Sequence, residues 1–260
     1  MPLNRIDAIR VPIAAIFLVM PLIFVAPTNA DDAKADDAKA VTPAVAGKAD
    51  EQAPGKEGEE KQLAFKEDSA WKPCHFGGDG PIAMKDGVLS LGFGDPLTGV
   101  RWEGDFPKQN YEVTLEARRV GGFDFFCALT LPVADQHFSL VLGGWGGSLV
   151  GLSSIDGLDA SNNETMLIRE FKKDQWYKAK VRVTEKQITV WLDGESIIEV
   201  DREGRVFDVR SEMLECVSVG LAAFQTEAEI RNLKFRTLAP AAVDAKKADA
   251  ATTTEASAAQ

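Results

Sequence analysis

The feature that most constrains this chain is a two-residue alternation of apolar and polar side chains, repeated over several short runs. Tyr111, Val113, Leu115 and Ala117 alternate with Glu112, Thr114, Glu116 and Arg118. Ala179, Val181 and Val183 alternate with Lys178, Lys180, Arg182 and Thr184; Ile188, Val190 and Leu192 alternate with Gln187, Thr189 and Trp191. Successive side chains of an extended strand point to opposite faces, so this period builds half-buried strands and not helices. Two of the runs join at Glu185-Lys186, and Asp193-Gly194 leads into Ser196–Val200. Asp-Gly between alternating runs favours a tight hairpin, because both turn positions take positive φ. Trp176 to Val200 is therefore predicted to be a three-stranded meander.

Further strands are expected at Val88–Phe93, Gly99–Trp102, Phe123–Leu131, Phe138–Leu142, Val217–Phe224 and Ala228–Thr237. The runs 123–131 and 217–224 are apolar on both faces, which places them centrally. No segment has a helical apolar stripe; Arg210–Leu214 makes at most one turn. Nine or ten short strands with Gly-rich turns indicate a β-sandwich or barrel.

The flanks are different in kind. Arg5 and Arg10 precede an apolar run from Val11 to Ala26, and Thr28-Asn29-Ala30 supplies small residues for cleavage. Residues 1–30 read as a secretory signal peptide, which predicts a secreted or periplasmic protein. The run is too short to remain as a stable membrane span. From Asp31 the sequence Asp-Asp-Ala-Lys-Ala occurs twice in succession, and 31–68 read as a disordered acidic linker. Residues 239–260 read as a disordered C-terminal tail. The predicted folded domain is 69–238.

Charge excludes one class of partner. Lys+Arg 29 against Asp+Glu 40 gives −11, the wrong sign for a general nucleic-acid binder. Two His and three Cys leave little for a His/Cys zinc site. Cys127 lies in an apolar run and reads as a buried thiol.

The unusual stretch is Gly143-Gly144-Trp145-Gly146-Gly147. Glycines around one Trp let the backbone turn sharply and present the ring, and a flat aromatic face suits the C–H face of a sugar. Gly144, Trp145 and Gly146 are therefore candidate saccharide contacts, with Ser153, Asp159 and Asn162 downstream as hydroxyl partners. The competing reading is a Gly-rich strand connection around a core Trp. Asp156, Asp159, Asn162, Asn163 and Glu164 crowd closely enough to be candidate Ca²⁺ ligands, although Asx residues also favour turns for their own backbone bonds. Asn163-Glu164-Thr165 fits a glycosylation sequon.

Trp176 with Trp191-Leu192-Asp193-Gly194, and Gly220-Leu221-Ala222 with Ile230-Arg231-Asn232-Leu233, resemble the secreted bacterial 3-keto-disaccharide hydrolase family over roughly residues 70 to 238. Asp124-Phe125-Phe126-Cys127, Leu129 to Val133, the Gly-Trp stretch and Ser153 to Gly157 resemble a subset of it. The resemblance implies an all-β fold, a concanavalin A-like jelly-roll β-sandwich of two antiparallel sheets. In a jelly roll the first and last strands can lie close, so Cys74 and Cys216 are candidates for a bridge in an oxidising compartment. The family name implies cleavage of 3-oxo-glycosides, in which the ketone acidifies a neighbouring C–H and elimination expels the leaving sugar. Such chemistry needs a base, an acid and often a cation.

Candidate bases are His137, Asp124 and Glu116; candidate acids or clamps are Asp156, Asp159, Arg101 and Arg118. His137, Asp124 and Asp156 are the expected catalytic set. Arg101 and Trp102 are expected to bind substrate, with Trp191 as a further platform. The paired-carboxylate strand of jelly-roll glycanases is absent from the sequence. Three functions follow: a 3-keto-glycoside hydrolase or lyase, a non-catalytic carbohydrate-binding module, or an envelope-interaction domain. They separate on whether His137 and the acidic residues converge on one concave spot, and on whether Trp145 is exposed.

Overall fold

A computed structural model of the chain describes residues 58–240. The expected signal peptide, residues 31–57 of the expected linker and most of the expected C-terminal tail lie outside the described residues.

In chain order the strands are β1 (Lys61–Gln62), β2 (Trp71–Pro73), β3 (Ile82–Lys85), β4 (Val88–Leu91) and β5 (Leu97–Trp102). They continue with β6 (Tyr111–Gly122), β7 (Cys127–Val133), β8 (Gln136–Gly143), β9 (Leu149–Ser153) and β10 (Leu167–Ile168). The last are β11 (Tyr177–Val183), β12 (Gln187–Leu192), β13 (Glu195–Asp201), β14 (Val219–Phe224) and β15 (Thr226–Thr237). All pairings are antiparallel, in two sheets: an eight-stranded sheet ordered β13-β12-β11-β6-β15-β4-β3 with β1 beside β15, and a seven-stranded sheet ordered β10-β9-β8-β7-β14-β5-β2. The expected β-sandwich of two antiparallel sheets is the fold.

The alternation reads out directly in packing. Val113, Leu115, Val181, Val190 and Ile230 of the eight-stranded sheet share one core with Val100, Leu129, Leu140, Leu152 and Leu221 of the other. The expected meander is β11-β12-β13, and its second turn places Asp193 at φ 52° and Gly194 at φ 90°, as a tight hairpin requires. The two runs expected to be central hold neighbouring central positions, as β7 and β14.

Three expectations change. Residues 58–68, assigned to the linker, are folded onto the sandwich. Gly58 N–H donates to Thr237 O at 2.9 Å, β1 pairs with β15, and Leu63 and Phe65 are only 4% and 2% exposed. Two large apolar side chains inside a charged stretch suffice to anchor it, with Phe65 packed on Trp71 at a ring separation of 5.4 Å. The run Phe123–Leu131 is strand only from Cys127, because Asp124 turns its carboxylate onto neighbouring main-chain N–H groups. Finally, β9 is a buried strand where none was expected; being covered on both faces, it carries little alternation to betray it.

Candidate functional site

Much of the outer face of the seven-stranded sheet is built from small side chains. Between the core-facing residues stand Ala128 and Thr130 on β7, Ser139 on β8, Gly151 and Ser153 on β9, and Gly220 and Ala222 on β14. This lets two chain segments lie directly on the sheet. Ser154 N–H donates to Asp208 O at 2.5 Å and Asp208 N–H returns to Ser154 O at 3.2 Å, so the segment after β9 and the one after β13 run paired. The second segment ends in a short 3₁₀ turn, Ser211–Cys216. Its seat is Gly220, where a Cβ would stand 2.3 Å from the Cys216 carbonyl oxygen. A small apolar cluster of Cys74, Leu97, Ala128, Val209, Met213, Cys216 and Ala222 holds this cover down.

Where the cover stops, a cleft of about 220 Å³ remains, lined by Asp124, Phe125, Ala128, Ser139, Val141, Trp145, Ser153, Arg210, Glu212, Met213 and Phe224. Phe125 and Phe224 form an aromatic pair in its lining, with ring centroids 5.6 Å apart. Trp145 lines it from the turn between β8 and β9. That turn is a chain of left-handed residues: Gly143 at φ 77°, Trp145 at 49°, Gly146 at 88° and Gly147 at 107°. An L side chain rarely adopts this region, so a Trp there must be held by its surroundings.

Two residues hold it. Asp124 Oδ2 accepts Gly146 N–H at 3.0 Å, while Oδ1 accepts Phe125 N–H at 2.7 Å. Arg119 Nη2 donates to Gly147 O at 2.8 Å, Asp124 O at 3.1 Å and Gly143 O at 3.4 Å. Burial pulls the Arg119 guanidinium below its ordinary pKa, and the nearby Asp124 charge opposes that. The indole is left 42% exposed.

The opposite lip carries Arg210, whose guanidinium stands 6.0 Å from the Trp145 ring. Asp159 Oδ2 binds it at 3.0 Å and Glu212 Oε1 at 2.5 Å. Burial would raise the Asp159 pKa, but hydrogen bonds from Ser161 and Asn162 and the Arg210 charge prevail and hold it below the usual carboxylate range. Between the lips, Ser139 Oγ is paired with Thr130 Oγ1 at 2.8 Å. Ser153 Oγ has no partner among the described residues, although Ser153 is only 2% exposed. A buried hydroxyl without a partner is costly unless something brought into the cleft satisfies it.

The expected site residues divide accordingly. Asp124, Trp145 and Ser153 meet at the cleft, and Gly144 and Gly146 flank the indole. Asp159 and Asn162 stand behind the lip, Asn162 Nδ2 donating to Asp159 Oδ1 at 2.8 Å. The expected catalytic set does not assemble. His137 is at the far end of β8 and does not line the cleft; burial and the Lys108 charge lower its pKa. Asp156 ties two cover segments together, accepting Val206 N–H at 2.8 Å and pairing with Arg205 at 2.7 Å.

Arg101 pairs with Glu103 and Glu215 at 3.0 and 3.7 Å, away from the cleft. Trp102 packs edge-on against Trp71 at 5.3 Å and is part of the core, not a platform. Trp191 lies on the other sheet beneath Lys180. Glu116 and Arg118 are there too, paired with Arg231 and Glu229.

The oxygen-rich loop does not fit a cation. Asp156 and Glu164 both pair with Arg205, and Asp159 with Arg210, so arginines occupy the charge a calcium ion would need. Asn163 donates to the carbonyls of Leu152, Leu158 and Asp159, which organises the loop and leaves its amide nitrogen inaccessible to glycosylation. Among the described residues no group of three or more His, Cys, Asp or Glu is placed to hold a metal.

Sequence reasoning missed Phe125, Phe224, Met213, Arg119, Arg210 and Glu212. Phe224 had a readable signal, since it ends a run apolar on both faces. Arg119 and Arg210 had none, because the contacts that bring them to the Trp145 turn are far away in sequence.

No curated protein matches the chain. A carbohydrate-binding module, CBM66 from Bacillus subtilis, is 12% identical with a TM-score of 0.45, over 65% of this chain and 96% of that one. Domain 4 of a GH43 extracellular arabinanase from Geobacillus stearothermophilus, solved with arabinotriose, is 14% identical with a TM-score of 0.46, over 72% and 95%. A protein of unknown function with a galectin-like fold from Bacillus subtilis is 13% identical with a TM-score of 0.49, over 72% and 99%. The family model described as 3-keto-alpha-glucoside-1,2-lyase-like domain matches residues 66–236, which takes in every strand from β2 to β14, nearly all of β15 and every residue lining the cleft. With so much of the folded region matched, the chain belongs to the 3-keto-alpha-glucoside-1,2-lyase-like family.

Proposed function

We propose that the cleft binds one sugar ring or chain end of a glycoside, and that the domain holds its ligand without cleaving it. The observation that carries this reading is Trp145, fixed in a left-handed conformation and exposed beside a buried, unpartnered Ser153 hydroxyl. An indole face and the Phe125 and Phe224 rings suit the C–H surface of a pyranose, while Ser153 and Arg210 suit its hydroxyls. The cleft is smaller than an ordinary ligand pocket, which favours a single ring.

The family's name argues for elimination from a 3-oxo-glycoside, and this is the second reading. It requires a base and an acid at the reacting carbons. The cleft's two carboxylates are occupied: both oxygens of Asp124 by main-chain N–H groups, and those of Glu212 by Arg210 and Ser211. His137 stands outside the cleft.

The full chain would be titrated with 3-oxo-glucosides and their unoxidised parents, following indole fluorescence and calorimetry, with leaving-group release assayed in parallel. Saturable binding without release is the expected result. Release from the 3-oxo forms alone, lost in Asp124→Ala or His137→Ala, would replace this reading with the lyase.

A further inference from the structure

We infer that Cys74 and Cys216 close a disulfide that fastens the cover of the cleft to the sheet beneath it. The two sulfurs lie 3.1 Å apart as free thiols, both fully buried, 142 residues apart in the chain. Each is placed by a different strand. Cys74 N–H donates to Gly99 O on β5 at 2.9 Å, while Cys216 sits on Gly220 of β14. Those strands are hydrogen-bonded neighbours, with Ala222 opposite Gly99 and Gly220 opposite Arg101. The sheet therefore brings the sulfurs together before any bond exists, and bond formation asks for a shift of only about 1 Å.

The reaction removes one proton and one electron from each thiol. A low-molecular-weight disulfide such as oxidised glutathione accepts the electrons and leaves as two thiols. Burial of both sulfurs means that exchange occurs before the cover closes, or when it opens. The signal-peptide pattern of residues 1–30 would deliver the chain to a compartment where such a bond persists. Cys127 takes no part, being packed in the main core with its thiol pushed up to about 12 by burial.

The consequence falls on the cleft. Arg210, Glu212 and Met213 lie within six residues of Cys216, on the segment the bond would pin. Without it, this lip is held by Met213 and its apolar neighbours, and by an Asp159–Arg210 ion pair that salt can screen. The inference does not depend on which ligand the cleft takes.

The test is a thiol count on the full chain, equilibrated in a glutathione redox buffer, then denatured and alkylated with iodoacetamide. Intact mass should show one alkylated cysteine, and peptide mapping should place it at Cys127 with Cys74 and Cys216 cross-linked. Three alkylated cysteines, or a bridge that includes Cys127, would overturn the bond. Reduction should also speed hydrogen exchange across 207–217 by roughly tenfold and lower Tm by roughly 5–10 °C. Cys216→Ser should behave as the reduced protein does. Exchange across 207–217 that ignores reduction would overturn the fastening role.

Discussion

The outer faces of the two sheets solve the same problem in opposite ways. On the eight-stranded sheet the outward side chains are long and charged. Glu112 gathers Arg182 and Arg236 at 2.9 Å each, Arg118 meets Glu229 at 2.6 Å, and Arg231 meets Glu116 at 2.7 Å. Two tryptophans on this side, Trp191 of β12 and Trp176 just before β11, are closed off by cations. Trp176 carries Arg231 at 3.9 Å and Arg118 at 4.7 Å, and Trp191 carries Lys180 at 3.9 Å. On the seven-stranded sheet the outward side chains include a tract of small ones, Ala128, Thr130, Ser139, Gly151, Ser153, Gly220 and Ala222, and other parts of the chain do the covering. An aromatic ring on a sheet is thus no evidence of a platform; what matters is whether its face is already taken. Trp145 keeps its face because Arg210 stands off at 6.0 Å.

Four experiments would break or sharpen that contrast. The largest effect is expected from Gly220→Val, whose side chain would collide with Cys216; urea unfolding should show a loss of about 3 kcal/mol. Thr114→Val, outward on β6, should stay within about 0.5 kcal/mol. Equal costs would mean that the two faces are not covered differently. Next, Trp145→Ala should weaken glycoside binding about 30-fold, near 2 kcal/mol, while Trp191→Ala leaves calorimetric affinity unchanged. Glu112→Gln should cost about 1–2 kcal/mol at neutral pH, reduced from a buried-pair value because its arginines are about a third exposed.

The smallest effect is in pH. Asp159 beside the cleft and Glu116 on the other sheet both have carboxyls held below their ordinary range. In each case burial pushes upward and is outweighed, at Asp159 by Ser161, Asn162 and Arg210, and at Glu116 by Arg231, Asn232 and Lys178. A depressed carboxyl stabilises the fold fully above its unfolded pKa, about 4, and loses that contribution as pH falls through the folded value. Unfolding free energy should therefore show no change from these groups between pH 7 and 5, where their contribution is complete, and decline below pH 4. Chloride should soften the decline at both.

The sequence exposed the eight-stranded sheet far better than the other. Strands wet on one face, such as β6, β11 and β12, write their geometry as alternation. Strands covered on both faces do not, so β9 was invisible and β7 was misplaced at its start. The same physics governs the site. Trp145 could be picked out because five consecutive residues announce an unusual turn. Arg210, Arg119 and Phe224 become site residues through contacts across 24 to 99 positions of chain. Asp156 and Asp159 looked like free oxygen donors because nothing local reveals that Arg205 and Arg210 come to meet them.

The hydrogen bond from Gly58 to Thr237 has an architectural consequence. It sets the entry and exit of the folded region side by side on the eight-stranded sheet, while the cleft opens from the outer face of the seven-stranded one. A domain with adjacent ends can be inserted into, or strung between, other polypeptides without stretching its own fold. Here any such attachment would be made on one side of the sandwich and the cleft opens on the other, so tethering would leave the cleft free.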